Sequence, residues 1–151
     1  MINPRSKHWV LVADGGQARI LELKRKPYTF QQVTEIVSET QHEPSRNLVS
    51  DADGRSFHAL GPGSHAKQPR SDPHEQAEEQ FSRSLMQKLD KAVNMGRFDH
   101  LALIAEPRTL GRLRRYMSKT LSARVTEELA LDLVGLPIDR LEPKVKAALG
   151  W

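Results

Sequence analysis

The stretch Leu101-Ala102-Leu103-Ile104-Ala105 is a continuous apolar run. Such runs are typical of strands that a parallel sheet buries on both faces. Before it, Phe81, Leu85 and Leu89 recur at helical spacing, and a second helical pattern follows from Thr109, a residue able to cap it. A buried strand between two amphipathic helices predicts an α/β fold with this strand near the centre of the sheet.

Working outward, the remaining patterns complete a βββαβαβα order. We predict strands near residues 8–13, 18–24, 30–37 and 124–129, with the third nearer an edge because it is rich in polar residues. Three meandering strands followed by right-handed crossovers predict one mixed five-stranded sheet with helices on both faces. By analogy with a ribonuclease-H-like sheet, the first strand should lie beside the fourth and parallel to it. The expected core positions are Phe81, Leu85, Leu89, Leu103, Leu110, Leu113, Met117, Leu121 and Leu141. The last helix is expected to carry Ile138, Leu141, Val145 and Leu149.

Length and composition predict one domain over residues 1–151 with a long loop at about 39–71, where periodicity disappears. A loop of that length is expected to be functional or disordered. Cysteine is absent, so disulfides, thiolate nucleophiles and cysteine-bound metals are excluded. The start of the chain has no apolar signal region, and no run approaches the roughly 20 apolar residues that span a bilayer. We therefore expect a cytoplasmic protein that does not enter a membrane.

The net charge of +4 permits an anionic partner, and the distribution of charge suggests where it would bind. Between Pro107 and Arg124 the chain has basic residues and no acid. On one helix, Arg108, Arg112, Arg115 and Lys119 would share a face that points to solvent, where they could contact phosphates. The alternative interpretation is a solvated helix face without a ligand.

Further binding candidates lie outside this row. Ser50 and Asp51 begin a loop segment with turn chemistry, in which Arg55 offers a bidentate fork. Arg19 and Arg114 are additional cations, and the helix start at Thr109 offers free backbone N–H groups. Together these groups could bind an RNA backbone or a phosphorylated small molecule. The alternative is that Arg19, Arg55, Arg108 and Arg114 form salt bridges between the long loop and the body of the domain.

A nuclease is the enzymatic alternative. Asp14 ends the first strand and Glu106 the fourth, so adjacent parallel strands would bring the two carboxylates together. With Glu78 or Glu79 they could hold Mg²⁺ for phosphodiester cleavage. Asp14 can equally be a turn residue that bonds its own loop, and Glu106 an ordinary loop acid.

The histidines suggest no metal site. Those in or beside the long loop have spacings that match no metal-binding motif, so we predict neither a metal nor a cofactor. These histidines are His42, His58, His65 and His74.

Four short motifs, spread over nearly the whole chain, resemble the bacterial host attachment family, which is related to the middle domain of archaeal and eukaryotic class-I translation release factors. Glu106 departs from the family pattern, in which a small residue or proline is usual. The motifs are Trp9-Val10-Leu11-Val12-Ala13-Asp14-Gly15 with Ala18-Arg19-Ile20; Leu48-Val49-Ser50-Asp51 with Gly54-Arg55-Ser56-Phe57; Ala105, Pro107, Arg108, Thr109, Leu110, Gly111, Leu113 and Arg114; and Asp132-Leu133 with Leu136-Pro137.

In the release factors a Gly-Gly-Gln tripeptide helps water to attack the peptidyl-tRNA ester. This chain contains Gly15-Gly16-Gln17, but in the first hairpin turn, where we expect the glycines to supply positive φ, and not in the long loop. The tripeptide is therefore predicted to have no hydrolytic role. The resemblance implies a non-catalytic binding module for ribosomes or RNA; the alternatives are a host-cell attachment factor, as the family name says, and the nuclease.

Overall fold

The strands and helices form a single mixed sheet with helices on both faces. A computed structural model describes residues 5–25, 28–38 and 73–151. In these ranges the strands are β1 (His8–Ala13), β2 (Gln17–Lys24), β3 (Thr29–Val37), β4 (His100–Ala105) and β5 (Val125–Ala130). The helices are α1 (Pro73–Asn94), α2 (Pro107–Tyr116), α3 (Lys119–Ser122) and α4 (Ile138–Leu149).

The strand order is β3-β2-β1-β4-β5. β1 is antiparallel to β2 and parallel to β4, so the predicted pairing of the first and fourth strands is confirmed. Ala13 and Ala105 are partners at the last position of the β1–β4 register. The residues that follow them, Asp14 and Glu106, therefore leave the sheet side by side. The predicted α/β class and mixed five-stranded sheet are confirmed.

Alternating side chains of the central strands fill two apolar layers. Trp9 and Leu11 face α1, α2 and α3, whereas Val10 and Val12 face α4. Burial of apolar side chains on both faces is the main force that holds the helices to the sheet. The predicted core positions are buried, with one exception: Met117, just after α2, is partly buried and packs against the core.

The predicted second helix is two helices. Its first residue is Pro107, and Glu106 stands at the N-cap, so Thr109 lies inside the first turn and does not cap the helix. The chain leaves α2 at Met117, and Ser118 then caps the short helix α3 with its side chain. The order is therefore βββαβααβα, and Lys119 belongs to a different helix from Arg112.

The hairpin turn between β1 and β2 does not use positive φ. Among the glycines that the structure describes, only Gly96 and Gly150 have positive φ, so the expectation for Gly15 and Gly16 was wrong. The turn is instead held by Asp14, whose Oδ1 accepts hydrogen bonds from the N–H groups of Gly16 and Gln17, both at 2.9 Å. In the ranges that the structure describes, no helix is long and apolar enough to cross a membrane.

Candidate functional site

A cavity of about 220 Å³ lies where β1 and β4 end beside the start of α1. We call it the acidic cavity, because four of its lining residues are the carboxylates Asp14, Glu78, Glu106 and Asp132. The ends of parallel strands are a common ligand position in α/β sheets. The structure thus brings the three residues of the nuclease hypothesis, Asp14, Glu106 and Glu78, to one place. Its other lining residues are Gly15, Gly16, Ser38, His74 and Ala77.

Three of these carboxylates already have partners within the protein. Asp14 holds the hairpin turn, and Glu106 accepts a hydrogen bond from the hydroxyl of Thr109 at 3.0 Å. The Oε1 of Glu78 lies 3.3 Å from the NH2 of Arg112, and its Oε2 lies 4.0 Å from the Nε2 of His74. Among the described residues, no group of three or more His, Asp or Glu side chains is arranged to hold a metal ion.

A second cavity, of about 310 Å³, lies between α1 and α2. We call it the arginine cavity; Arg108, Arg112 and Arg115 line it from α2, and Glu75 and Glu79 line it from α1. Arg108 NH2 lies 2.7 Å from Glu75 Oε1, and Arg115 forms an ion pair with Glu79. The structure thus brings together three arginines that were predicted to bind phosphate, and the glutamates opposite them partly neutralise their charge.

Arg112 differs from its neighbours in burial. The side chains of Arg108 and Arg115 are 65% and 58% exposed, whereas the whole of Arg112 is 5% exposed. The prediction that Arg112 points to solvent was wrong, because α2 packs against α1 and turns this residue toward Glu78 and Glu79. Its NH1 atom is buried without a hydrogen-bond partner in the described part of the chain.

The other predicted binding residues are dispersed. Arg19 is buried and donates to Gln32 and to the carbonyls of Val134 and Leu136, so it ties the segment before α4 to the sheet. Arg114 pairs with Glu128 on β5 at 2.6 Å, and Thr109 is buried. Arg19 and Arg114 thus bond to residues of the sheet and of the segment before α4. Ser50, Asp51 and Arg55 lie outside the described residues, as do His42, His58 and His65.

Two features of this region were not predicted as parts of a site. Asp132 lines the acidic cavity, although the sequence marks it only as part of a family motif. Tyr116, at the end of α2, has the guanidinium of Arg83 at 5.1 Å from its ring centre and that of Arg115 at 6.0 Å. The acid-rich first turns of α1 were a usable signal, because acids three and four residues apart share a helix face.

Two groups away from both cavities have clearly shifted pKa values. Burial, the neighbouring His100 and Arg25 lower the pKa of His8 to about 4. Burial alone would raise the pKa of Glu22, but hydrogen bonds from Lys24 and from the indole N–H of Trp9 outweigh it, so the pKa is lowered. Both groups support the sheet and do not line either cavity.

Comparison with known proteins identifies the family. Residues 9–145 match the family described as "Protein required for attachment to host cells". The chain belongs to this family. The match spans most of the chain, and the family resemblance of the four motifs is thereby confirmed.

Similar proteins include an uncharacterized protein of Rickettsia prowazekii (strain Madrid E), 37% identical over 68 residues, which are 44% of this chain and 45% of that protein. Similar structures include an archaeal protein (TM-score 0.47, 12% identity) and the archaeal translation termination factor aRF1 (TM-score 0.48, 10% identity). Each similarity covers 95% of this chain but only 34% and 39% of those structures. The chain therefore spans less than half the length of each of these proteins.

Proposed function

We propose that this chain is a non-catalytic binding module that holds phosphate groups of RNA, ribosomal RNA included, at the arginine cavity. The observation that carries the proposal is Arg112, a buried guanidinium whose NH1 lacks a partner among the described residues while the side chain lines an open cavity. A buried, unsatisfied donor costs about 1–3 kcal/mol. A ligand oxygen in the cavity could satisfy this donor once a small side-chain movement exposes it.

The flanking arginines match phosphate in geometry. Arginine presents a planar fork that bonds phosphate oxygens in pairs, and Arg108 and Arg115 flank Arg112 at one-turn spacing on α2. Their present partners, Glu75 and Glu79, are themselves partly exposed. Exposed ion pairs contribute only about 0–1 kcal/mol, so exchange of a carboxylate for a phosphate costs little.

Two further cations follow α2 in the chain. Lys119 and Arg124 are exposed and form no ion pair with any residue that the structure describes. Arg83 lies over the ring of Tyr116. A positively charged track with an aromatic ring is a common arrangement for single-stranded RNA, whose bases stack on rings while cations follow the backbone.

Co-sedimentation with ribosomes, over a series of salt concentrations, tests the proposal. Arg108→Gln with Arg115→Gln should weaken binding and flatten its salt dependence, because each lost phosphate contact reduces the slope by about 0.7–0.9. The matched control is Arg140→Gln with Lys144→Gln, which removes the same charge from the exposed side of α4. Equal weakening by both pairs, or no ribosome binding by the wild-type chain at low salt, contradicts the proposal.

A second candidate function is Mg²⁺-dependent cleavage of phosphodiesters at the acidic cavity. It is favoured by the β1–β4 register, which sets Asp14 beside Glu106, and by Glu78 on the same cavity. Mg²⁺ would have to draw Asp14 from its two backbone hydrogen bonds. Hydrolysis of labelled RNA, measured with and without Mg²⁺, tests this candidate. Mg²⁺-dependent activity that Glu106→Gln abolishes would support cleavage, and an inactive wild-type chain would rule against it.

The family description suggests a third candidate, attachment to host cells, which requires the protein at the cell surface. The RNA proposal instead places it in the cytoplasm. Fractionation of cells, with protease treatment of the intact cells, separates the two. Digestion of the chain on intact cells would favour attachment, and protection together with ribosome association would favour RNA binding.

A further inference from the structure

A groove runs between α1 and the edge strand β3, on the side of α1 away from the arginine cavity. It consists of two adjoining cavities of about 250 and 470 Å³, which share Ile36 and Lys88. Along α1 its lining extends from Ala77 to Met95. At a rise of about 1.5 Å per residue, this is a length of about 27 Å.

The groove leaves apolar surface in contact with water. Met95 is 72% exposed and Val33 is 38% exposed, and Trp9 and Leu89 form a buried apolar floor beneath them. Methionine adapts its side chain to different partners and is common on peptide-binding surfaces. A partner that covered these side chains would gain about 25 cal/mol for each Å² of apolar surface removed from water.

The charged residues that the structure describes along the groove are all basic. Lys88, Lys91 and Arg97 line it, and no described aspartate or glutamate does. Over the described part of the chain none of the three forms an ion pair; Arg97 lies 5.9 Å from the ring centre of Trp9. The complementary partner therefore combines apolar side chains with carboxylates.

We propose that this groove binds a peptide segment of another protein in which apolar side chains are flanked by acidic ones. The exposed apolar lining residues Val33, Val37 and Met95 carry no aromatic ring, whereas a nucleic acid would be met by aromatic rings. A length of about 27 Å accommodates an extended segment of about eight residues.

Recognition in this groove rests on side chains. The register of β3 against β2 shifts at Ile20 and Leu21, which leaves Val33 without a partner in the ladder. Such a bulge interrupts the regular row of backbone groups along an edge strand and discourages further strand pairing. The proposal concerns a surface separate from the arginine cavity and does not depend on RNA binding.

The probe is a fluorescein-labelled peptide of about eight alternating leucines and glutamates, matched to the length of the groove. Its control has lysine in place of glutamate. Fluorescence anisotropy with the full chain should show binding of the acidic peptide only. Lys88→Glu with Lys91→Glu should weaken this binding at least about tenfold, which is about 1.4 kcal/mol. Arg140→Glu with Lys144→Glu, on α4, should leave it unchanged, and circular dichroism checks that each variant is folded.

Met95→Asp is an independent test of the apolar contact and should also weaken binding of the acidic peptide. Equal binding of the two peptides, or equal weakening by the two charge-reversal pairs, would overturn the proposal. Sedimentation velocity tests whether a second copy of this chain occupies the groove. If the wild-type chain associates with itself and Met95→Asp disperses it while the peptide does not bind, the groove is a contact between copies and the proposal is wrong.

Discussion

The backbone of Gly15 packs directly against the carboxylate of Glu78, so closely that a β-carbon on residue 15 would overlap it. The first hairpin turn therefore touches the same glutamate that pairs with Arg112 of α2. Glu78 lines the acidic cavity and its partner Arg112 lines the arginine cavity, so this ion pair connects the two cavities. A change in one cavity is expected to be felt in the other.

Gly15→Ala should destabilise the protein by about 0.5–1.5 kcal/mol, because the new methyl group moves the flexible Glu78 side chain away from Arg112 and weakens this contact. In chemical denaturation, Glu78→Ala should reduce the cost of Gly15→Ala, since the clash then disappears. The control is Gly111→Ala in α2, where a β-carbon meets nothing within 4 Å. That change should stabilise by about 0.5–1 kcal/mol through helix propensity. If Gly15→Ala destabilises the Glu78→Ala variant as much as the wild type, the contact between Gly15 and Glu78 is refuted.

Arg112→Ala should cost about 1–3 kcal/mol, because it leaves Glu78 without its guanidinium partner and opens space at a buried position. Arg108→Ala and Arg115→Ala should each stay within about 0.5 kcal/mol, since both side chains are exposed. Thermal and denaturant unfolding of the three single variants measures the difference. Equal stabilities would mean that the burial of Arg112 contributes nothing.

The stability of the protein should decrease as the pH falls from about 6.5 toward 4. The pKa of His8 is lowered to about 4 in the folded state, whereas the unfolded chain keeps the ordinary value near 6.5. Between these values the unfolded state binds more protons, so acid favours unfolding. His8→Phe should flatten this part of the profile, and His74→Gln, at an exposed position, should not. An unchanged profile for His8→Phe would assign the acid sensitivity to other groups.

Gln17→Ala should leave ribosome association unchanged, and the wild-type chain should release no peptide from peptidyl-tRNA. Gln17 is the first residue of β2, and its N–H donates to the turn carboxylate of Asp14. The side chain is therefore at a hairpin and not at the tip of a long loop. Ester hydrolysis by the wild type that is lost on this change would overturn the argument.

Much of the fold followed from local patterns. The run at residues 101–105 required burial on both faces, and the helical spacing of Phe81, Leu85 and Leu89 required a core-facing helix, so both positions in the fold were predictable. The break between α2 and α3 was not. Ser118 caps α3 by accepting from the N–H of Leu121, and its hydroxyl donates to Asp90 of α1. The second contact joins residues distant in sequence, so local patterns do not reveal it.

The site shows the same division. The sequence by itself determined which residues end the parallel strands and which arginines share α2, because helix and strand periods are local properties. Only the tertiary structure decided that Arg112 is buried, because this depends on α1 bringing Glu78 and Glu79 against α2. Charges on a lone helix face are solvated, but packing removes water from one of them and leaves its neighbours exposed. A row of equal arginines in the sequence thus became one buried guanidinium between two exposed ones.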